Sequence, residues 1–305
     1  MFFSVFSQVA ILMILILTGV VLSKTGVLTE KGADGMTELV LLLVTPCVII
    51  QSFIRKFDKE TLRALLTSFL IAILIHVFFI VTSRLLIHTK QITSERVLRF
   101  AVIFTNCGYM SIPLQKALLG EIGVFYASSF VAIFNLIAWS YGVVLMSGEK
   151  KYLSPKKLLL NPGMTGLLIG LIIFLLSIPM PDIVVESISH IAALNTPLPM
   201  LVIGFHLAQT NVFKGFRDLR CLWATAVRML LMPAAVLAIL YFCGLRGDML
   251  VSFVISASAP CAAVTTMFAA KYESDTALSV KLVSLTTCFS LISMPVLITI
   301  AKMLA

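Results

Sequence analysis

Charge is scarce in this chain. Only 12% of its 305 residues are Asp, Glu, Lys or Arg, about half the share a soluble globular domain carries. That shortage excludes an ordinary water-facing surface. Acid is missing where it would matter most: no Asp or Glu falls in the middle of an apolar run, and all 14 lie at run ends or in connections. A carrier that binds its cations through a buried carboxylate is therefore disfavoured, and the obvious proton carrier is absent with it. The six cysteines show no CxxC spacing and lie in or beside apolar runs, where they read as small buried hydrophobes. No HExxH, paired catalytic carboxylates or Ser/His/Asp arrangement is present, so the chain is not expected to be an enzyme. No P-loop appears either, which excludes ATP-driven pumping by this chain, and no cofactor is expected. The first residues lack a basic stretch and a small-residue cleavage site, so the first apolar run is expected to remain as a span.

What is present is apolar. The hydrophobic fraction is 60% and the mean hydropathy is +1.07. Polar residues are confined to short gaps between runs of the length that crosses a hydrocarbon layer about 30 Å thick. Ten spans are expected, near 3–22, 36–54, 63–86, 97–119, 122–146, 162–178, 183–209, 219–243, 248–270 and 276–304. This is the pattern of an all-α integral membrane protein in a lipid bilayer. The net charge of +9 is scattered over the connections, which argues for membrane orientation and against nucleic acid. Odd-numbered connections hold fourteen Lys and Arg residues; even-numbered ones and the C-terminal end hold seven. Odd connections are thus expected in the cytoplasm of a cell whose plasma (inner) membrane holds the protein, with both termini outside. The dissenting loop is "RKFDKETLR", residues 55–63.

The two halves resemble each other. Thr45 begins "TPCVIIQSF" and Thr196, 151 residues on, begins "TPLPMLVIGF". Asn106 precedes Glu121 by fifteen residues, and Pro260 precedes Asp275 by the same interval. These offsets suggest two five-helix copies, residues 1–146 and 162–305, joined by a cytoplasmic linker at 147–161. Five is odd, so the second copy enters the membrane from the other side, an inverted repeat. Asn106, Gly108 and Pro113 interrupt span four, and "SASAPCAAVTTM" interrupts span nine at the matching place. Proline removes a backbone donor and clashes with the preceding turn. Broken helices persist in lipid only where protein buries them or they line a wet cavity. The two breaks are expected to cross near the midplane, with half-helix N-termini suited to an anion and half-helix C-termini suited to a cation.

"TNCGYMSIPLQKALLG" and "ASAPCAAVTTMFAAKYESD" resemble the two crossover segments of the auxin efflux carrier family. The bacterial members of that family are described as permeases for small organic acids such as malate or malonate. The resemblance covers the whole chain and implies a fold similar to bile-acid symporters and sodium/proton antiporters, with the substrate site at the crossover. By position it implies that Asn106 hydrogen-bonds substrate, that Pro113 fixes the second half of span four and that Pro260 breaks span nine beside the same site. Where the family often has a polar residue after the second crossover proline, this chain has Cys261 and Ala262.

The candidate substrate site is therefore Asn106, Cys107, Gly108, Pro113, Pro260 and Cys261. Thr45 and Gln51 border the expected break in span two, and Arg228 is a basic group deep in span eight. Other ionisable groups within apolar runs are Lys281, close to a span end, and His76 and His206, read as packed or interfacial rings. The expected function is a secondary carrier for a small organic anion, a mono- or dicarboxylate, working by alternating access. The alternative is a sodium-coupled symporter of the bile-acid type, with Thr45, Thr105, Asn106 and Ser111 as oxygen ligands. Proton or sodium coupling both stand open at this stage. A homodimer is expected through the first or the sixth span, where Gly163, Gly166 and Gly170 would allow close helix approach.

Overall fold

The structure, a computed structural model, describes residues 2–153, 162–209 and 215–305. Residues 154–161 of the expected linker lie outside it, as do Lys156, Lys157 and Lys214 of the orientation count. Among the described residues the chain is helical, with no strand. Seven helices are long and apolar enough to cross a membrane. They are α1 (Phe2–Lys24), α2 (Glu30–Phe53), α3 (Lys59–Leu86), α6 (Glu121–Ser147), α8 (Asp182–Ala208), α9 (Leu219–Phe242) and α12 (Thr276–Leu304). A shorter apolar helix, α7, covers Pro162–Leu175. Two further apolar segments are each split in two: α4 (Ile92–Ile103) and α5 (Ile112–Leu119), then α10 (Gly247–Ser258) and α11 (Val264–Lys271).

The acids excluded from the apolar runs start the helices. Asp58 accepts from the Thr61 amide at 2.7 Å ahead of α3, Asp218 from the Arg220 amide at 3.1 Å ahead of α9, and Asp275 from the Leu278 amide at 3.0 Å ahead of α12. Each satisfies a first-turn donor that the helix leaves unpaired and complements its positive end.

α3 shows which solvent the molecule is built for. Leu66, Leu70, Leu74, Val77, Val81 and Leu85 form an exposed apolar stripe, while Ser68, His76 and Ser83 are fully buried. Water would favour the reverse. Most of the inward polar atoms bond to their own helix: Ser68 and Ser83 donate to the Ala64 and Ile80 carbonyls at 2.8 Å, and His76 Nδ1 to the Ala72 carbonyl at 2.8 Å, while His76 Nε2 has no partner among the described residues. Such a helix fits hydrocarbon, where every polar group needs an internal partner. His206, by contrast, is exposed near the end of α8.

Proline is absorbed in a specific way. π-helical turns at Val40–Val44, Cys107–Ser111 and Val227–Leu231 immediately precede Pro46, Pro113 and Pro233. The carbonyl four residues before a proline has neither its donor nor room for the ring. In each case that carbonyl belongs to the widened turn, to Leu42, Tyr109 and Met229 respectively, which gives the ring space without ending the helix. Pro46 therefore does not break span two: α2 runs on from Glu30 to Phe53.

The helices pack in two groups. α1 lies along the Pro197–Ala208 half of α8, α7 lies along the Thr45–Phe53 stretch of α2, and the Asp182–Ala193 half of α8 also meets that stretch. The other helices gather round the two splits: α10 packs on α12 and α6, α12 on α4, α3 on α4, and α9 on α10. The groups meet where α1 touches α12 and α5, where α2 and α7 touch α6, and where α8 touches the Cys107–Ser111 turn. α1 and α8 approach so closely that a Cβ on Gly19 would overlap the Leu201 backbone and one on Gly204 the Ile16 backbone. The glycines of span six are used the same way. A Cβ on Gly166 would sit 2.7 Å from Pro46 Cα, and one on Gly170 3.0 Å from the Phe53 ring. That stripe seats α7 on α2 within one chain, so it does not offer the free face that the homodimer expectation rested on.

Candidate functional site

α4 stops at Ile103 because Phe104 turns extended (φ −95, ψ 112), and α10 stops at Ser258 because Ala259 does the same (φ −61, ψ 148) ahead of Pro260. The two extended stretches pair. Thr105 and Cys261 form an antiparallel bridge in which the Asn106 amide donates to the Pro260 carbonyl at 2.7 Å and the Ala262 amide to the Phe104 carbonyl at 2.9 Å. Unpaired backbone groups cost several kcal/mol each away from water. Two helices broken separately would each bear that cost, whereas broken side by side they satisfy one another. The Cys261 amide is taken up as well, donating to Thr286 Oγ1 at 3.1 Å.

The crossing brings four half-helix ends together. At the C-terminal ends stands Arg228, 1% exposed. Its Nη1 donates to the Val102 carbonyl at 2.9 Å, its Nη2 donates to the Ala257 carbonyl, and its guanidinium lies 4.9 Å from the centre of the Phe79 ring. Arg228 thus faces backbone carbonyls. At the N-terminal end of α5, the Met110 and Ser111 amides both turn back to the Asn106 carbonyl, at 3.1 and 3.4 Å. The Asn106 side-chain amide makes no hydrogen bond among the described residues, although the residue is only 6% exposed. Beside it Gly108 borders open space: a Cβ there would meet nothing within 4 Å. Amides at a helix start, an uncommitted carboxamide and free volume together suit a carboxylate.

A cleft of about 240 Å³ opens beside this break, lined by Gln8 and Leu12 of α1, Pro113 and Lys116 of α5, and Thr196 of α8. It reaches the crossing at Pro113 and not at Asn106. Lys116 on its wall is 3.3 Å from Gln51 Oε1 and 3.4 Å from Glu121. Gln51 therefore belongs with Lys116 near the end of α2, away from the crossing. Thr45 is buried, and its Oγ1 has no partner among the described residues; the same holds for Thr105 Oγ1 and both amide atoms of Asn195. Buried polar atoms without partners cost about 1–3 kcal/mol each and call for water or a ligand. Lys281, a second buried-run cation, pairs across 3.9 Å with Asp218.

Sequence reasoning missed one cluster. Gln115 Nε2 donates to Ser111 Oγ at 2.8 Å and to Ser256 Oγ at 2.9 Å, while Ser252 Oγ donates to Gln115 Oε1 at 2.5 Å. All four side chains are buried, and the network pins α5 to α10. Its signal was available: Ser111/Gln115 and Ser252/Ser256 are polar pairs at i, i+4 within apolar runs, the spacing that places both on one helix face. Asn195 and Thr286 were missed for want of any local pattern.

A family model described as membrane transport protein matches residues 4–298. An uncharacterized transporter of Methanothermobacter thermautotrophicus is 25% identical over 292 residues, covering 93% of this chain and 94% of the relative. An uncharacterized transporter of Methanocaldococcus jannaschii is 22% identical over 298 residues with the same coverage, 93% and 94%. Auxin efflux carrier component 1 of Arabidopsis thaliana is 31% identical over 122 residues, 39% of this chain and 20% of the plant protein.

Proposed function

The chain belongs to the auxin efflux carrier family of membrane transport proteins, and from that premise we propose that it is a secondary carrier for a small organic anion, a mono- or dicarboxylate. The anion binds at the first break, where Asn106 and the amides opening the turn at Cys107 and Gly108 receive its carboxylate. Pro113 holds the start of α5, and Pro260 and Cys261 close the opposite wall. The observation that carries this reading is the Asn106 carboxamide, buried yet uncommitted, next to the open space at Gly108.

Alternating access comes from ten spans in two inverted five-helix copies, 1–146 and 162–305. The packing supports that reading through exchanged partners. α1 on the second half of α8 has its counterpart in α7 on the second half of α2; α10 on α6 has its counterpart in α4 on α12; α3 on α4 has its counterpart in α9 on α10. Swapping the copies maps each contact onto the other, as a two-fold axis in the membrane plane requires. The groups α1, α2, α7, α8 and the remainder then shift against one another, exposing the crossing to either side. The protein sits in the plasma membrane with both termini outside.

The test is uptake of labelled malate and malonate into vesicles containing purified protein, against protein-free vesicles. Saturable uptake lost in Asn106→Ala supports the proposal; uptake at the protein-free level for a range of mono- and dicarboxylates overturns it.

A further inference from the structure

Resting on that carrier reading, we propose that Arg228 is a built-in cation that fills the seat between the two half-helix C-termini, so that no alkali-metal ion binds at the crossing during transport. The crossing presents two negative helix ends to each other. Each carries roughly half an elementary charge, so the pair calls for about one positive charge. One guanidinium supplies it, with one arm to the Val102 carbonyl of α4 and the other to the Ala257 carbonyl of α10. Both carbonyls lie one residue short of the helix ends, Ile103 and Ser258. No carboxylate pairs with Arg228 among the described residues, and the Phe79 ring supports the guanidinium at 4.9 Å. The charge is thus balanced by the main chain.

The fit depends on guanidinium shape. A planar fork offers its two arms to the two carbonyls from separate nitrogens in a fixed geometry, whereas an ammonium is a compact charge that would have to meet both from one nitrogen. The π-helical turn Val227–Leu231, which makes room for Pro233, also carries Arg228. Of the oxygens considered for a sodium site, Ser111 Oγ accepts from Gln115 and the Asn106 and Phe104 backbones are in the bridge, while the Thr45 and Thr105 hydroxyls are left without a partner among the described residues. With the C-terminal ends neutralised from within, the N-terminal ends remain to bind an anion, and the coupling cation of the symporter alternative has no vacancy here.

The experiment reads thermal stability of purified protein with sodium, potassium or guanidinium chloride at about 20 mM, ionic strength held constant with choline chloride. A ligand that binds only the folded state raises the melting point. The wild type is expected to show no rise with any of the three. Arg228→Ala, its seat emptied, is expected to melt at lower temperature and to be raised selectively by guanidinium, an effect that loss of packing alone does not produce. Arg228→Lys serves if the alanine variant does not fold; it is expected to melt lower than the wild type and to stay insensitive to sodium. A sodium-induced rise in the wild type or in Arg228→Lys overturns the proposal, as does an Arg228→Ala protein that guanidinium does not raise. These melting shifts need no transported substrate, so a failure of carboxylate uptake leaves this proposal standing and removes only the carrier reading. In vesicles, malate uptake is expected to be equal in sodium and choline media, and uptake that requires sodium overturns the inference.

Discussion

The two breaks are built from different materials. The first offers Thr105, Asn106 and Gly108, with an uncommitted carboxamide and open space. The second offers Ala259, Pro260, Cys261 and Ala262, all buried, with the Cys261 amide held by Thr286 and its Sγ 3.2 Å from Thr265 Oγ1. Both breaks share one bridge, so the difference does not come from backbone satisfaction. It lies in what is left over after the bridge is made. The first break has unused polar capacity and the second has almost none. In the proposed reading, recognition therefore falls to one side of a crossing whose backbone treats both sides alike.

The largest expected effect sharpens that asymmetry. Asn106→Ala removes a hydrogen bond to a charged group, about 1.5–3 kcal/mol, so carboxylate uptake is expected to fall about 10- to 100-fold with the melting point nearly unchanged. The mirror change, Cys261→Ala, is expected to alter uptake less than about twofold, below ~0.5 kcal/mol. Equal losses at the two positions would abolish the distinction. Next comes Gly108→Ala, which adds a methyl to space that no protein atom approaches. Uptake is expected to drop about tenfold, ~1.4 kcal/mol of lost binding, with no loss of stability; unchanged uptake would show that the space is not the substrate's.

Smaller effects separate the crossing from its supports. Gln115→Leu leaves Ser252 and Ser256 without their shared partner and is expected to cost about 1–3 kcal/mol, seen as a melting point lowered by a few degrees. The smallest concerns the far end of the molecule. Hydrogen bonds from Arg220 hold the Asp218 carboxyl below the usual carboxylate range. A depressed carboxylate contributes stability that is full above its unfolded pKa of about 3.9 and is lost as pH falls through the lower folded value. Melting points recorded from about pH 5 down to 3 should fall more steeply for the wild type than for Asp218→Asn.

Much of the architecture was legible because membrane helices advertise themselves by length and hydropathy. Asn106 and Pro260 announced the two splits, and the acids at run ends announced the helix starts. The bridge between Thr105 and Cys261 was not legible, since main-chain pairing leaves no mark in side-chain identity. Arg228 was visible as a charge in an apolar run, but carbonyl partners carry no sequence signature. Pro46 misled for a related reason: the same residue type that ends α10 is absorbed in α2 by one widened turn. Gly166 and Gly170 announced a close helix neighbour correctly and could not say whose; the neighbour is α2 of the same chain.

Gly19 and Gly204 carry one last implication. Where α1 meets α8 the main chains press together with no side chain between them, so neither helix can slide along the other without first lifting off. Such a pair behaves as a single welded beam. In the proposed alternating-access reading, any rocking is then taken up at the seams that α1 makes with α12 and α5 and that α2 and α7 make with α6. A crosslink spanning either seam should freeze the machine, while one laid along the beam should go unnoticed.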